Sequence, residues 1–373
     1  MKNQQLAKRK NTAFHINPGD HVIVLALIIF WLFLYITNSA FGKFNIYATI
    51  IKEASMYAVC GVGMTFAIIS GDFDLSVASQ IALSSVVFTA IVDKICPAAP
   101  MAGILLTCAV VLILGAAMGL INGLLIARMR IPAFIATLAM QNIYRGVAQL
   151  INDSPVAIAT LGKPYMAFTT GSGDAIKMGI GETELLYIRG FSFTRIFNLP
   201  LFFYVMVALA ILGTIILRKT QLGRNITAIG NSKEAARIAG INIPRTQIAI
   251  YVMVGIFTGM TALMMTSNLG SSNYGVPTGT EFTVISAVVL GGTALAGGKG
   301  SIFNTVVASI FIATISTALT TFGISNNAHG IFRGCILVFA FSINTIRAVT
   351  YDASAKWKAR KEAQQLAAAA GNR

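Results

Sequence analysis

The stretch RKTQLGRNITAIGNSKEAARIAGINIPR, residues 218–245, is a hydrophilic island between two long apolar runs. Six of its residues are basic: Arg218, Lys219, Arg224, Lys233, Arg237 and Arg245. Runs of about 20 apolar residues cross a bilayer, so a basic island between two of them is a loop outside the lipid core. Inside it, Ser232 through Ile238 has the marks of a short helix. Asn231 or Ser232 can cap it, Glu234 lies in its first turn and Gly240 stops it. Such a helix on the basic side of a membrane protein offers a docking surface. An ordinary cytoplasmic loop held inside by its charge has the same composition.

The rest of the chain agrees with this setting. Hydrophobic residues make up 55% of the 373 and charged residues 11%, where a soluble domain carries about 25% charged. The apolar stretches are continuous rather than alternating, which selects helices over a barrel. The fold class is therefore all-α, a polytopic membrane protein of about ten transmembrane helices. Net charge is +15, from 28 Lys/Arg against 13 Asp/Glu. In this setting the excess reflects basic loops facing anionic membrane lipid, not a nucleic-acid partner. Cys60, Cys96, Cys108 and Cys335 have no CxxC spacing and lie mostly in apolar runs, so they read as packing residues. The start MKNQQLAKRKN is basic, but no small-residue cleavage site follows the first apolar run, which reads as an uncleaved helix.

The spans fall approximately at 22–38, 48–70, 73–92, 102–127, 131–151, 197–217, 247–267, 282–298, 301–322 and 329–347. This gives an N-terminal tail over 1–21, a transmembrane domain over 22–347 and a C-terminal tail over 348–373. An even number of spans puts both ends on one side. Lys8, Arg9, Lys10, Arg128, Arg130, the island, Lys299 and the tail's Lys356 and Arg360 share that side. The opposite loops at 268–281 and 323–328 carry no Lys or Arg. Both termini are therefore expected in the cytoplasm. The outer loop 152–196 carries Lys163, Lys177, Arg189 and Arg195, but long loops obey the charge rule poorly. Its length suits a landing surface, or a variable surface loop.

Two stretches interrupt the apolar pattern. In SGDFDLSVASQIALSS, residues 70–85, Asp72 and Asp74 stand between apolar runs. Ionisable groups at membrane depth carry function by default; an interfacial turn in which Asp74 and Ser76 cap the next helix is the competing reading. In VVLGGTALAGGKGS, residues 288–301, the glycines, Gly291 and Gly292 among them, imply a broken or re-entrant segment. A phosphate-binding loop is excluded there, because GxxxxGK followed by Ser or Thr needs Gly at 293 and a hydroxyl at 300, and the chain has Thr293 and Gly300. Gly115, Gly119 and Gly123, with Gly255 and Gly259, mark close helix packing. Asn122, Gln141, Asn142 and Arg145 are polar positions in spans that either line a pathway or bond a neighbouring helix. His15, His21 and His329 are scattered, and no catalytic motif, metal set or cofactor site is expected.

Four stretches resemble the membrane permease of ribose-type sugar ABC importers: 70–79 (SGDFDLSVAS), 119–146 (GLINGLLIARMRIPAFIATLAMQNIYRG), 222–240 (LGRNITAIGNSKEAARIAG) and 288–300 (VVLGGTALAGGKG). They occur in the family's order. The resemblance implies a translocation subunit rather than an enzyme, in a bacterial inner membrane. It implies a second permease copy or related permease, a cytoplasmic ABC ATPase subunit (commonly a tandem polypeptide) and an extracytoplasmic sugar-binding protein as partners. Gly223, Arg224, Asn231, Glu234, Ala235, Ala236, Arg237 and Gly240 then match the coupling segment that docks on the ATPase. Asp74, Ser76, Asn122, Gln141, Asn142, Gly291 and Gly292 are the candidates for pathway or gate. Departures are visible. Where the family reads GGIDLSVG, Asp72 and Ala78 replace glycines. Before the glycine-rich segment Glu281 remains, but Thr283 stands where an Asp is usual. These bear on which sugar is carried. The competing class is an ion-coupled secondary carrier that would use Asp72, Asp74 and Arg145.

Overall fold

The computed structural model describes residues 22–95, 100–152, 156–157, 195–196, 199–269, 271–272, 279–325, 328–332, 334–338 and 342. The tails over 1–21 and 348–373 and most of the loop 152–196 lie outside them. Among the described residues the chain is a bundle of helices. They are α1 (Val22–Thr37), α2 (Phe44–Ile69), α3 (Val77–Ile95), α4 (Pro100–Ala127) and α5 (Ala133–Ile151). There follow α6 (Leu201–Lys219), α7 (Gln221–Asn231), α8 (Lys233–Ile238) and α9 (Ile243–Leu269). Last come α10 (Thr280–Leu290), α11 (Ile302–Thr321) and the apolar run Ala328–Val338. Four of them, α4, α6, α9 and α11, are long and apolar enough to cross a membrane by length and composition alone, and shorter apolar helices accompany them.

Helix α2 lies at the centre. It packs on α6, α9, α10 and α11. Its buried Val59, Val62 and Phe66 join Phe202, Ile250, Val254, Val288 and Ile302 in the main apolar core. Outer faces are apolar as well. Leu105, Ile113, Ile135, Leu150 and Ile211 are exposed, as side chains solvated by lipid are. At one end, Val156 and Ala157 pair antiparallel with Ser272 and Ser271, tying the start of the long loop to the chain after α9.

The glycine spacing predicted a tight crossing, and the structure has it between α4 and α9. A Cβ on Gly115 would overlap the carbonyl oxygen of Gly255, and one on Gly119 the carbonyl of Tyr251. Lipid supplies no hydrophobic force between helices, so this backbone-to-backbone approach is what holds the pair.

Two spans need correction. The run expected over 282–298 ends as a helix at Leu290, eleven residues and about 16 Å long, half of a roughly 30 Å hydrocarbon core. The segment is broken, with the rest a loop. The run expected from 73 starts as a helix only at Val77, because the two carboxylates occupy a turn. Cys335 is exposed rather than packed. The island also holds a helix that its residues did not advertise. Gln221–Asn231 contains Gly223, Gly230, Asn225 and Thr227, weak helix formers all. Burial of Ile226 and Ile229 overrides that preference.

A leucine at 119 has no room without separating the two backbones. Gly119→Leu is expected to cost at least about 1–3 kcal/mol, read as a lower midpoint in thermal unfolding in detergent. Gly146→Ala, with open space around it, is the control and should leave the midpoint unchanged or raise it, alanine being the better helix former.

Candidate functional site

Three helices end by the same device. At the end of α2, Gly71 sits at φ 85°, its N–H bonds Ile68 O and the Asp72 N–H bonds Ala67 O. This is the glycine-closed helix terminus that satisfies two orphan carbonyls. Gly292 closes α10 likewise, with bonds from Gly292 N to Val289 O and Thr293 N to Val288 O. Gly240 ends α8 in the same way. The glycine-rich loop then folds back. Gly298 N donates to Ile69 O at 2.8 Å. Gly230 of α7 lies against both of those atoms, where any side chain would collide with backbone. Thus the end of α2, the end of α7 and the loop 291–300 form one backbone junction.

From this junction the chain enters the two-acid turn. Asp74 is fully buried. Its Oδ1 accepts from Ser76 N at 2.8 Å and Ser76 Oγ at 2.6 Å. Its Oδ2 accepts from Gln80 Nε2 at 3.1 Å and Asn122 Nδ2 at 3.0 Å. Tyr144 donates to Asn122 Oδ1 at 3.1 Å and to Met118 O at 2.9 Å, a hydroxyl shared between two acceptors. One carboxylate therefore holds the start of α3 and, through Asn122 and Tyr144, α4 and α5. Four donors compensate its desolvation without a cation. Gln80 Oε1 is buried and has no partner among the described residues.

Asp72 faces the other way. Its Oδ2 accepts from Gln247 Nε2 of α9 at 2.9 Å. Its Oδ1 lies 3.5 Å from Lys233 Nζ, the first residue of α8. Both lines open on a cleft of about 710 Å³ walled by Ile126, Arg130, Pro132, Arg237, Asn242 and Gln247 among others.

A second polar group lies deeper. Glu281, buried in the first turn of α10, accepts from Gly279 N at 3.2 Å and from Gln141 Nε2 at 3.3 Å. Arg145, one turn on from Gln141, reaches Ser79 Oγ at 3.4 Å. Gln141 is eight residues into α5, about 12 Å along the helix from its start. Thr283, where the resembling family has an acid, bonds Gly279 O instead.

The candidates from sequence thus separate. Asp74, Ser76 and Asn122 meet; Gln141 belongs with Glu281. Asn142 is exposed and bonds Leu138 O of its own helix, so it joins neither group. Gly291 and Gly292 end the half-helix against Asn304. On the docking side, Ser232, not Asn231, caps α8, accepting from Ala235 N at 3.1 Å. Glu234, Ala235 and Arg237 are exposed on α8, Arg224 is exposed on α7, and Gly223 packs on the carbonyls of Ile216 and Leu217. Ala236 is buried against the chain itself, so it positions α8 rather than presenting it. Sequence reasoning missed Gln80, Tyr144, Lys233 and Gln247. Gln80 follows Ser76 by one helical turn, which is legible; the other three depend on which helices pack together. Ile238, the exposed apolar tip of α8 at 82% exposure, was also passed over.

This arrangement is a helical bundle with a half-helix, a buried polar interior and a short, capped, exposed helix, α8. A family model described as branched-chain amino acid transport system / permease component matches residues 46–341, and the chain belongs to that family. Curated relatives include the ribose import permease protein of Escherichia coli K12, 30% identical over 322 residues, 86% of this chain and 92% of the relative. A probable ABC transporter permease protein of the same strain is 31% identical over 332 residues, 89% of this chain and 90% of the relative. Its L-arabinose transport system permease protein is 35% identical over 294 residues, 77% and 78%. No solved structure matches.

Removing one donor from the carboxylate cluster tests its weight. Asn122→Ala, which leaves Asp74 Oδ2 short of a partner, is expected to cost about 1–3 kcal/mol. Tyr144→Phe should cost about 1 kcal/mol. Thermal unfolding in detergent reads both; no change in either would remove the cluster as an organising element.

Proposed function

We propose that this chain is the translocation subunit of an ATP-binding-cassette importer in a bacterial inner membrane. It provides the route for a monosaccharide, a ribose-like pentose or a hexose, and has no ATPase of its own. The solute comes from an extracytoplasmic binding protein, and power comes from separate ATPase subunits. A second copy of the permease, or a related permease, completes the route.

The observation that carries this reading is the placement of α8. It is a capped, exposed helix on the end of the bundle that also holds Arg128, Arg130, Arg218, Lys219 and Lys299. Basic residues cluster on the cytoplasmic side, so that end, and with it both termini, is assigned to the cytoplasm. The base of α8 follows directly on the α7 junction with α2 and the glycine-rich loop. A push on α8 therefore acts on backbone, not on soft side chains. Glu234, Ala235, Arg237 and Ile238 form the presented surface, with Arg224 beside it. Asp74, Ser76 and Asn122 organise the inner gate, and Gln141 with Glu281 line the route. The sugar-import relatives supply the substrate class.

An ion-coupled carrier needs acidic groups able to exchange partners with a passing ion. Asp74 is instead saturated by four donors of its own chain, which leaves Asp72, held by Gln247 and Lys233, as the acid such a carrier would use.

Reconstitution in liposomes decides between the two. Uptake is expected only with ATP, the ATPase subunit and the binding protein together; uptake by this chain alone under a proton or sodium gradient would replace the importer by the carrier. Within the importer, Glu234→Ala with Arg237→Ala is expected to lower solute moved per ATP hydrolysed by roughly tenfold, the loss of about 1.4 kcal/mol of interface energy. Membrane insertion should be intact, and an unchanged ratio would count against α8 as the docking helix.

A further inference from the structure

We propose that Asp72 is a positioning residue, an ionic latch that fixes the docking helix α8 to the gate turn. The inference rests on the coupling role proposed above for α8. It goes beyond that role, because it concerns the side of α8 turned to its own chain and not the surface presented to a partner.

The geometry makes Asp72 a hub between moving parts. Its side chain is 10% exposed, against 52% for Lys233. Gln247, from the first part of α9, holds one carboxylate oxygen at 2.9 Å. Lys233, from α8, approaches the other at 3.5 Å. Tyr251, one turn on from Gln247, donates to Phe73 O at 3.3 Å. The turn is thus anchored to α9 by two bonds and to α8 by one. Both Gln247 and Lys233 line the cleft, but Gln247 is buried whereas the Lys233 side chain is half-exposed.

The two contacts have different lifetimes by this asymmetry. A buried, uncharged amide bonded to a carboxylate breaks only at a desolvation cost. A half-exposed ammonium on a flexible stem can leave into water at little cost. When α8 shifts, Lys233 lets go while Gln247 keeps Asp72 in place. Two residues on, Asp74 starts the buried cluster that ties together α3, α4 and α5. The latch therefore biases α8 and the gate turn toward the arrangement seen here and opens when the docking helix is displaced. A glycine at 72 has no such grip. Arg130 and Arg237 line the same cleft and are the other cations near the carboxylate. Lys233 is its only ion pair among the described residues.

The experiment uses the full transporter in proteoliposomes, with ATPase and binding protein, and measures solute moved per ATP hydrolysed. Asp72→Asn keeps an acceptor for Gln247 and removes the charge; Lys233→Gln removes the other charge at a half-exposed site that tolerates it. Each is expected to lower the ratio by roughly two- to fivefold, the range a partly exposed ion pair carries. The double variant should fall no further than either single one. Raising salt should lower the wild-type ratio more steeply than that of the double variant, which keeps only the salt dependence of the Glu234 and Arg237 interface. Singles with the wild-type ratio, or a double variant whose losses multiply, would overturn the latch. If the wild-type chain neither binds the ATPase nor needs ATP, the coupling role itself has failed, a result distinguishable from either. Detergent melting curves check that the variants fold; a variant that does not is replaced by Asp72→Gly, for which the same loss is expected.

Discussion

Helix α2 ends inside the protein, and the oxygens of its last turn have no water to bond. Everything at that end of the bundle follows from how they are satisfied. Ile68 and Ala67 are answered by the turn itself, through Gly71 and Asp72, and Ile69 by Gly298 from the far part of the sequence. The Ile69 bond forms only if the loop 291–300 folds back onto α2, which requires that α10 stop after eleven residues. It also requires that nothing larger than hydrogen stand at residue 230 of α7. A need for three hydrogen-bond donors thus places a half-helix, a glycine loop and the end of α7 at one point.

The two acids of the next turn divide the tasks that this junction creates. Asp74 looks inward and is bonded by the start of α3 and by Asn122, so the turn cannot rotate without breaking a four-donor site. Asp72 looks outward, toward α8 and α9. The position of α8 and the arrangement of the interior helices are therefore linked through three residues of backbone. The α10 half-helix also carries the buried Glu281, bonded to Gln141 of α5.

Much of this was legible in the chain. Continuous apolar runs gave the class, the four-residue glycine spacing marked both faces of the close crossing though not that they meet each other, and Ser232, Glu234 and Gly240 gave α8 almost to the residue. The glycines of 288–301 announced a break, though not its position, since apolar residues continue past Leu290 and only Gly291 and Gly292 end the helix. Helix α7 was hidden because its glycines serve close approach to other segments, and in isolation they argue against a helix. Asp74 and Asn122 were each visible as polar residues in apolar surroundings, but nothing in a single sequence shows that they bond each other across 48 positions. Asn142 had the same appearance as Gln141 and faces outward, because one step along a helix turns a side chain by about 100°. Pairings of this kind belong to packing, not to pattern.

The central claim is that α8 is a cytoplasmic knob that a separate ATPase grips. The most direct measurement is labelling of Ile238→Cys, in a background without the native cysteines, by a membrane-impermeant maleimide. Label is expected in inside-out vesicles, absent in right-side-out vesicles, and blocked when the purified ATPase subunit is added. Labelling from the outside, or equal labelling with and without the ATPase, would contradict the account.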